Sequence, residues 1–234
     1  MSSGHENLMK YTSPLLENYR QEVQQRINEA LASLAVRYVI GMSGDADQDK
    51  KILTQGVIEE FTNHFTGGDY AILTGGTEGG VPQMSVETAK RLGIPTIGVF
   101  PRQGMKYALL NQLDLAIETS PPDIGDGTFG TETPTFVNML DGATVIGGGY
   151  GTLTEVSTIL KTNVKRARDR SRELPDAQDP IYFAPITSTG GAAASVYGLA
   201  YNLGGDIEST LGMPMSPATD SHTAAQFIHD KLSD

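Results

Sequence analysis

The chain contains no cysteine. That excludes disulfides, iron–sulfur clusters, cysteine-ligated zinc and thiol catalysis together. It is also poor in positive charge: 17 Lys and Arg stand against 28 Asp and Glu, a formal net charge of −11. A surface with that balance repels phosphate backbones, so no nucleic-acid partner is expected. A small phosphate held by local backbone N–H groups is not excluded. No run reaches the ~18 apolar residues of a membrane span, and the polar stretch 1–20 lacks the apolar core of a secretory signal. The expectation is a soluble, cytoplasmic protein with no membrane partner. Only 38% of residues are hydrophobic, but 27 glycines lie outside that count among the 234 residues. A chain of this length still buries a sizeable core as one domain.

The apolar spacing divides the chain. Residues 1–11 read as a tail. From Thr12 to Leu34, Leu15, Leu16, Tyr19, Val23, Ile27, Leu31 and Leu34 recur at helical steps, so residues 1–35 form a tail and a helix packed on the domain that follows, 36–234. Short apolar runs come next, at 37–40, 70–74, 95–100, 113–118, 143–146 and 181–186. Helical patterns separate most of them, at about 49–65, 82–92, 135–140, 152–164 and 192–203, and a last helix spans 223–232. Residues 119–133 read as a long loop and 166–179 as a polar stretch. Strands that are apolar on both faces and alternate with helices predict an α/β fold. The class is a doubly wound, mainly parallel, Rossmann-like sheet with helices on both faces.

Glycine marks where the chemistry lies. Four strands end in glycine or small-residue loops: Gly41–Gly44, Gly75–Gly80, Gly147–Gly151 and Thr187–Gly191. In a parallel sheet these strand ends share one edge, where the following helices aim their free N–H groups. An acidic chain can therefore build a local anion site there. Gly148, Gly149 and Gly151 would offer N–H groups to a phosphate, and Thr152 a cap or a hydroxyl. Glu155, one turn further on, would accept from ribose hydroxyls or close a capping box. In the last loop, Thr189 and Gly190 are expected to touch the ligand.

The run Gly147-Gly148-Gly149-Tyr150-Gly151-Thr152-Leu153-Thr154-Glu155 has the pattern G-G-x-G-T-x-x-E between a strand and a helix. With the earlier Gly75-Gly76-Thr77-Glu78-Gly79-Gly80 loop it resembles the LOG-like, or SLOG, group of Rossmann-type nucleotide-binding proteins over roughly residues 36–203. That group includes phosphoribohydrolases that release cytokinin bases, long labelled lysine decarboxylases, as well as molybdenum-cofactor carrier proteins and nucleotide-sensing domains. The resemblance implies a phosphate loop at Gly148, Gly149, Gly151 and Thr152, with the family's acidic residue at Glu155. It also implies supporting turns at Gly75, Gly76, Gly79 and Gly80, and at Ser43 and Gly44.

The hydrolases carry an Arg-Lys pair on the helix before the motif strand. Here that place falls near Glu132-Thr133, and Gly147 stands where they usually have Pro. The chain is thus more similar to the carrier-type branch. The expected function is binding of a nucleotide or other phosphorylated small molecule, as carrier, sensor or scavenger. The alternative is a nucleoside 5′-monophosphate phosphoribohydrolase with Glu155 as its catalytic carboxylate and Lys106 or Arg102 reaching in. No cofactor is required by these residues; the implied ligand is a nucleotide or a pterin-type compound. The resemblance further implies a homodimer or larger homo-oligomer, paired through helices beside the motif.

The remaining polar residues read as structural. Asp45, Asp47 and Asp49 have D-x-D-x-D spacing but lack the rest of a calcium loop, so they read as a helix start and a solvated loop. His5, His64, His222 and His229 stand apart in sequence, and no metal site is expected. The basic run from Lys161 to Arg172 reads as a solvated helix end with local ion pairs.

Overall fold

Five of the six strands are almost wholly buried, as their unbroken apolar character requires. The computed structural model describes residues 14–45, 48–66, 69–119, 129–203 and 206–233. The elements in chain order are α1 (Pro14–Leu34), β1 (Tyr38–Gly44), α2 (Lys51–His64), β2 (Tyr70–Thr74), α3 (Gly80–Arg91), β3 (Thr96–Pro101), β4 (Leu115–Thr119), α4 (Thr133–Asn138), β5 (Gly142–Ile146), α5 (Tyr150–Ser171), β6 (Tyr182–Ile186), α6 (Gly191–Leu203) and α7 (Ser221–Ser233). The strands form one parallel sheet in the order β4-β3-β2-β1-β5-β6. The doubly wound α/β class expected from the sequence is the class found. The tail 1–11, Asp47 and most of the expected 119–133 loop lie outside the described residues.

Strand periodicity sorts the core into two layers. On one face, Val39, Leu73, Val145 and Phe183 pack with Ile27 of α1, Val137 of α4, Ile159 of α5 and Val196 of α6. On the other, Ile40, Ile72 and Ile146 pack with Phe61 of α2, Val81 of α3 and Ile228 of α7. The strand order reverses between β1 and β5, so the chain winds outward from that pair in both directions. A crevice opens at such a reversal, outside the carboxyl ends of the strands.

Two boundaries depart from the sequence reading. Gly41–Gly44 was expected as a loop, yet β1 runs through Gly44, with Gly41 to Gly44 in register with Ala143 to Ile146. Close approach explains the glycine: a Cβ on Gly44 would run into the Ile146 carbonyl oxygen and the Val81 side chain. The second departure is α5, which continues to Ser171 rather than stopping near Val164. Its polar end is held by a Lys165–Asp169 pair at 2.7 Å. Arg166 also donates to the Asp179 carbonyl at 2.8 Å, and Arg170 to the Gln178 and Ser209 carbonyls at 2.8 and 3.0 Å. These anchors offset the repulsion between like charges one turn apart, such as Arg166 and Arg170.

Buried Asn163 fixes α5 along its length. Its Nδ2 donates to the carbonyls of Ile181 and Leu211 at 2.8 and 2.7 Å, and its Oδ1 accepts the Ile181 N–H at 2.7 Å. One side chain thus ties α5 to the entrance of β6 and to the segment before α7.

Candidate functional site

A cavity of about 340 Å³ opens where the sheet order reverses. It is lined by Met42, Ser43, Gly44, Asp45, Gly75, Pro82, Gly149, Gly151, Thr152 and Glu155. Seven residues singled out from the sequence therefore share one space: Ser43, Gly44, Gly75, Gly149, Gly151, Thr152 and Glu155. They come from the ends of β1 and β2 and from the first turns of α5.

The start of α5 is built for close approach. Gly149 is its N-cap, and no side chain caps the helix. The first-turn N–H groups have no intrahelical acceptor, and the helix dipole adds partial positive charge there. A Cβ on Gly149 or on Gly151 would meet nothing within 4 Å, so both leave open space over the loop. Tyr150 between them is 92% exposed.

The other expected residues hold this loop rather than line the cavity. Gly147 and Gly148 adopt φ of +63° and +99°, which glycine alone tolerates readily. The Gly147 N–H donates to Thr189 Oγ1 at 2.6 Å, and Thr189 donates in turn to the Ile186 carbonyl at 2.5 Å. The carbonyls of Gly148 and Gly147 accept the N–H groups of Ala192 and Ala193 at 2.8 and 3.0 Å. Thr189 therefore braces the glycine loop, as does the N-terminus of α6, and neither Thr189 nor Gly190 lines the cavity. Gly76, Gly79 and Gly80 likewise shape the turn after β2. Gly76 packs against β3, and the Gly79 N–H donates to Gln83 Oε1 at 2.8 Å.

Sequence reasoning missed Asp45. Read as a solvated loop residue, it instead accepts the Gly148 N–H on its Oδ2 at 3.0 Å, bringing a carboxylate into the glycine loop. Its backbone oxygen accepts the Val81 N–H at 2.9 Å, which ties the β1 end to α3. Lys50 was also overlooked: a Cβ on Gly147 would lie 3.5 Å from its Cε, so its stem runs beside the loop. The cations first considered lie elsewhere: Arg102 pairs with Glu118 at 3.0 Å and Lys106 stacks over Tyr107.

Glu155 brings a carboxyl to the cavity wall. Ser43, on the β1 position that faces α5, donates its hydroxyl to Glu155 Oε2. This bond replaces the capping-box role considered for Glu155. Desolvation pushes the Glu155 pKa up to about 7; the Ser43 bond opposes the rise and the charge of Glu132 adds to it. Glu132 stands at the start of α4, where the hydrolases would carry their cationic pair. Burial raises its pKa too, against hydrogen bonds that include one from the Gly130 N–H at 2.7 Å. A carboxyl poised near neutrality can donate or accept a proton, but its charged neighbour is an acid.

The chain matches the profile of the SLOG cluster4 family (LDcluster4) over residues 37–166, from β1 into the second half of α5. It belongs to the SLOG cluster4 family. The match spans β1, the glycine turn after β2 and the G-G-x-G-T-x-x-E segment, the three parts that build the cavity. No curated protein matches the chain. Among solved structures it is similar to TM1055, at 13% identity and a TM-score of 0.60, over 82% of this chain and 99% of that one. It is also similar to the molybdenum cofactor carrier protein MCP from Chlamydomonas reinhardtii, at 18% identity and a TM-score of 0.51, over 85% of this chain and 99% of that one. At such identities the likeness is one of fold. No helix among the described residues is long and apolar enough to cross a membrane.

Proposed function

We propose that this SLOG-family chain binds a phosphorylated, ring-containing small molecule, a nucleotide or a pterin-type compound, in the cavity at the β1/β5 reversal. One observation carries the reading: the uncapped N-terminus of α5 and the Ser43–Glu155 pair open into the same space. The first offers N–H donors to a phosphate; the second, Glu155 further along the same helix with Ser43 beside it on β1, offers an acid and a hydroxyl to the polar edge of a sugar or ring. Exposed Tyr150 gives a face on which a ring can stack, and the stem of Lys50, whose ammonium pairs with Asp49 at 2.9 Å, runs beside the loop. A fold shared with a molybdenum cofactor carrier protein agrees with holding rather than converting the ligand.

Hydrolysis of an N-glycosidic bond needs a carboxylate and also help for the departing base. Glu155 fits the first requirement. For the second, the position of the hydrolases' cations holds Glu132, which raises the cost of negative charge at Glu155. Binding without cleavage is therefore the reading supported best. Gly149→Asp tests it. The side chain enters open space at a negative φ, so the fold survives, while its charge faces the donors meant for phosphate. Calorimetric titration with AMP, GMP, CMP and UMP is expected to show at least a tenfold loss of affinity, about 1.4 kcal/mol, with no free base released by the wild type. Release of base would instead favour the phosphoribohydrolase.

The reading includes a homodimer or larger homo-oligomer. The apolar groups left in solvent include Tyr150 at the start of α5 and Leu199 and Tyr201 in the second half of α6. Light scattering at micromolar concentration is expected to give at least twice the 25.0 kDa of one chain; the single-chain mass would overturn this part.

A further inference from the structure

Three of the four histidines gather on the opposite face of the sheet, between α2 and α7. Glu60 and His64 lie one turn apart on α2, and His222 stands at the start of α7. Glu60 Oε2 is 3.1 Å from His222 Nδ1 and 3.8 Å from His64 Nε2. One ligand atom from each of the three lies within 4.8 Å of the other two. His229, two turns beyond His222, stacks on the His64 ring at 5.2 Å between centroids and meets Phe65 edge-on at 5.0 Å.

We propose that Glu60, His64 and His222 bind a divalent transition-metal cation of the zinc type, clipping α7 to α2. Two imidazoles and a carboxylate are a donor set that such cations prefer, whereas magnesium and calcium take oxygen ligands. The spacing suits such a cation: with metal–ligand bonds of ~2.0–2.2 Å, the edge of a tetrahedron is ~3.3–3.6 Å, between the Glu60–His222 and Glu60–His64 separations, and the His64–His222 edge lies within 4.8 Å. The decisive detail is His64. Its Nε2 is shut off from solvent and has no hydrogen-bond partner. A buried ring nitrogen in that state costs stability unless something coordinates it. A simple Glu60–His222 ion pair accounts for the 3.1 Å contact but leaves the His64 nitrogen unexplained. His229, itself met edge-on by Phe65, stacks on the His64 ring and holds it in place. Three protein ligands leave the fourth position of a tetrahedral site to water. The site is independent of the cavity at the β1/β5 reversal.

The test uses the full chain, stripped with a chelator and dialysed. Titration with zinc chloride is expected to give one ion per chain and a higher melting temperature, with no such shift from magnesium chloride at the same concentration. Cobalt(II) is expected to give the visible d–d absorption of a tetrahedral site. His222→Ala and Glu60→Gln remove partly exposed ligands and should leave the metal-free melting temperature nearly unchanged, yet weaken zinc at least ~tenfold. His5→Ala is expected to bind as the wild type does. Absence of stoichiometric zinc binding overturns the proposal. So does zinc affinity retained in both His222→Ala and Glu60→Gln, or lost in His5→Ala.

Discussion

Replacing Glu155 with glutamine is expected to make the protein more stable at pH 8 than the wild type, and to remove a fall in stability on the alkaline side of about pH 4.5. The folded-state pKa of Glu155 is raised to about 7 from the ordinary 4.5, with desolvation the main cause. Between those two values the unfolded chain has released a proton that the folded chain still holds. Stability is therefore full below about pH 4.5, declines as pH rises, and levels off above about pH 7. The shift sets a ceiling of about 3 kcal/mol on that loss, which relaxation around the cavity reduces. Glutamine keeps the shape and can still accept from Ser43, but never ionises. Urea unfolding of both proteins at pH 5 and pH 8 measures the effect. Burial also raises the pKa of Glu132 and Asp141, so the wild type has other slopes in this range; the difference between the two proteins isolates Glu155. Parallel pH profiles would show that the carboxyl is as well solvated folded as unfolded.

Asn163→Ala is expected to destabilise the fold by about 2–4 kcal/mol. The wild-type side chain makes three hydrogen bonds and is fully buried. Alanine leaves the Ile181 N–H and two carbonyls without their partner, inside the protein, together with a small void. Both effects fall on the junction of α5 with β6. Because α5 carries Thr152 and Glu155 into the cavity, ligand affinity should fall as well, by less than in Gly149→Asp. Equilibrium denaturation quantifies the first effect. A loss under about 1 kcal/mol would mean that water or a shift of Ile181 takes over the bonds.

The sequence carried the fold because the sheet is buried on both faces. Runs such as Tyr70-Ala71-Ile72-Leu73 and Ala143-Thr144-Val145-Ile146 cannot face water on either side, and the glycines after them mark the edge where the helices begin. It carried one wall of the cavity because Gly149, Gly151, Thr152 and Glu155 lie at the N-cap and in the first two turns of one helix, fixed relative to each other by helical geometry. What it could not carry is pairing across the chain. Ser43 meets Glu155 over 112 residues, and Asp45 reaches Gly148 over 103. No local pattern distinguishes that Asp45 from a solvated one. Nor could spacing show that Thr189 braces the glycine loop, since a loop that lines a cavity and one that stands behind it use the same small polar residues. The histidines show the same limit: Glu60 and His222 are 162 residues apart and meet only because α7 packs beside α2.

The central claim is that the ligand sits at the β1/β5 reversal with its phosphate on the start of α5. Residue-resolved amide NMR of the full chain, titrated with each nucleoside monophosphate and with a pterin phosphate, tests it most directly. The account predicts that at least one compound saturably shifts the amides of Ser43, Gly44, Gly149, Gly151 and Thr152, and that in Gly149→Asp the same compound shifts those of Ser43, Gly44, Gly151 and Thr152 only at ~tenfold higher concentration or more. Shifts confined to other faces of the sheet, or no saturable shift with any of the compounds, would contradict it.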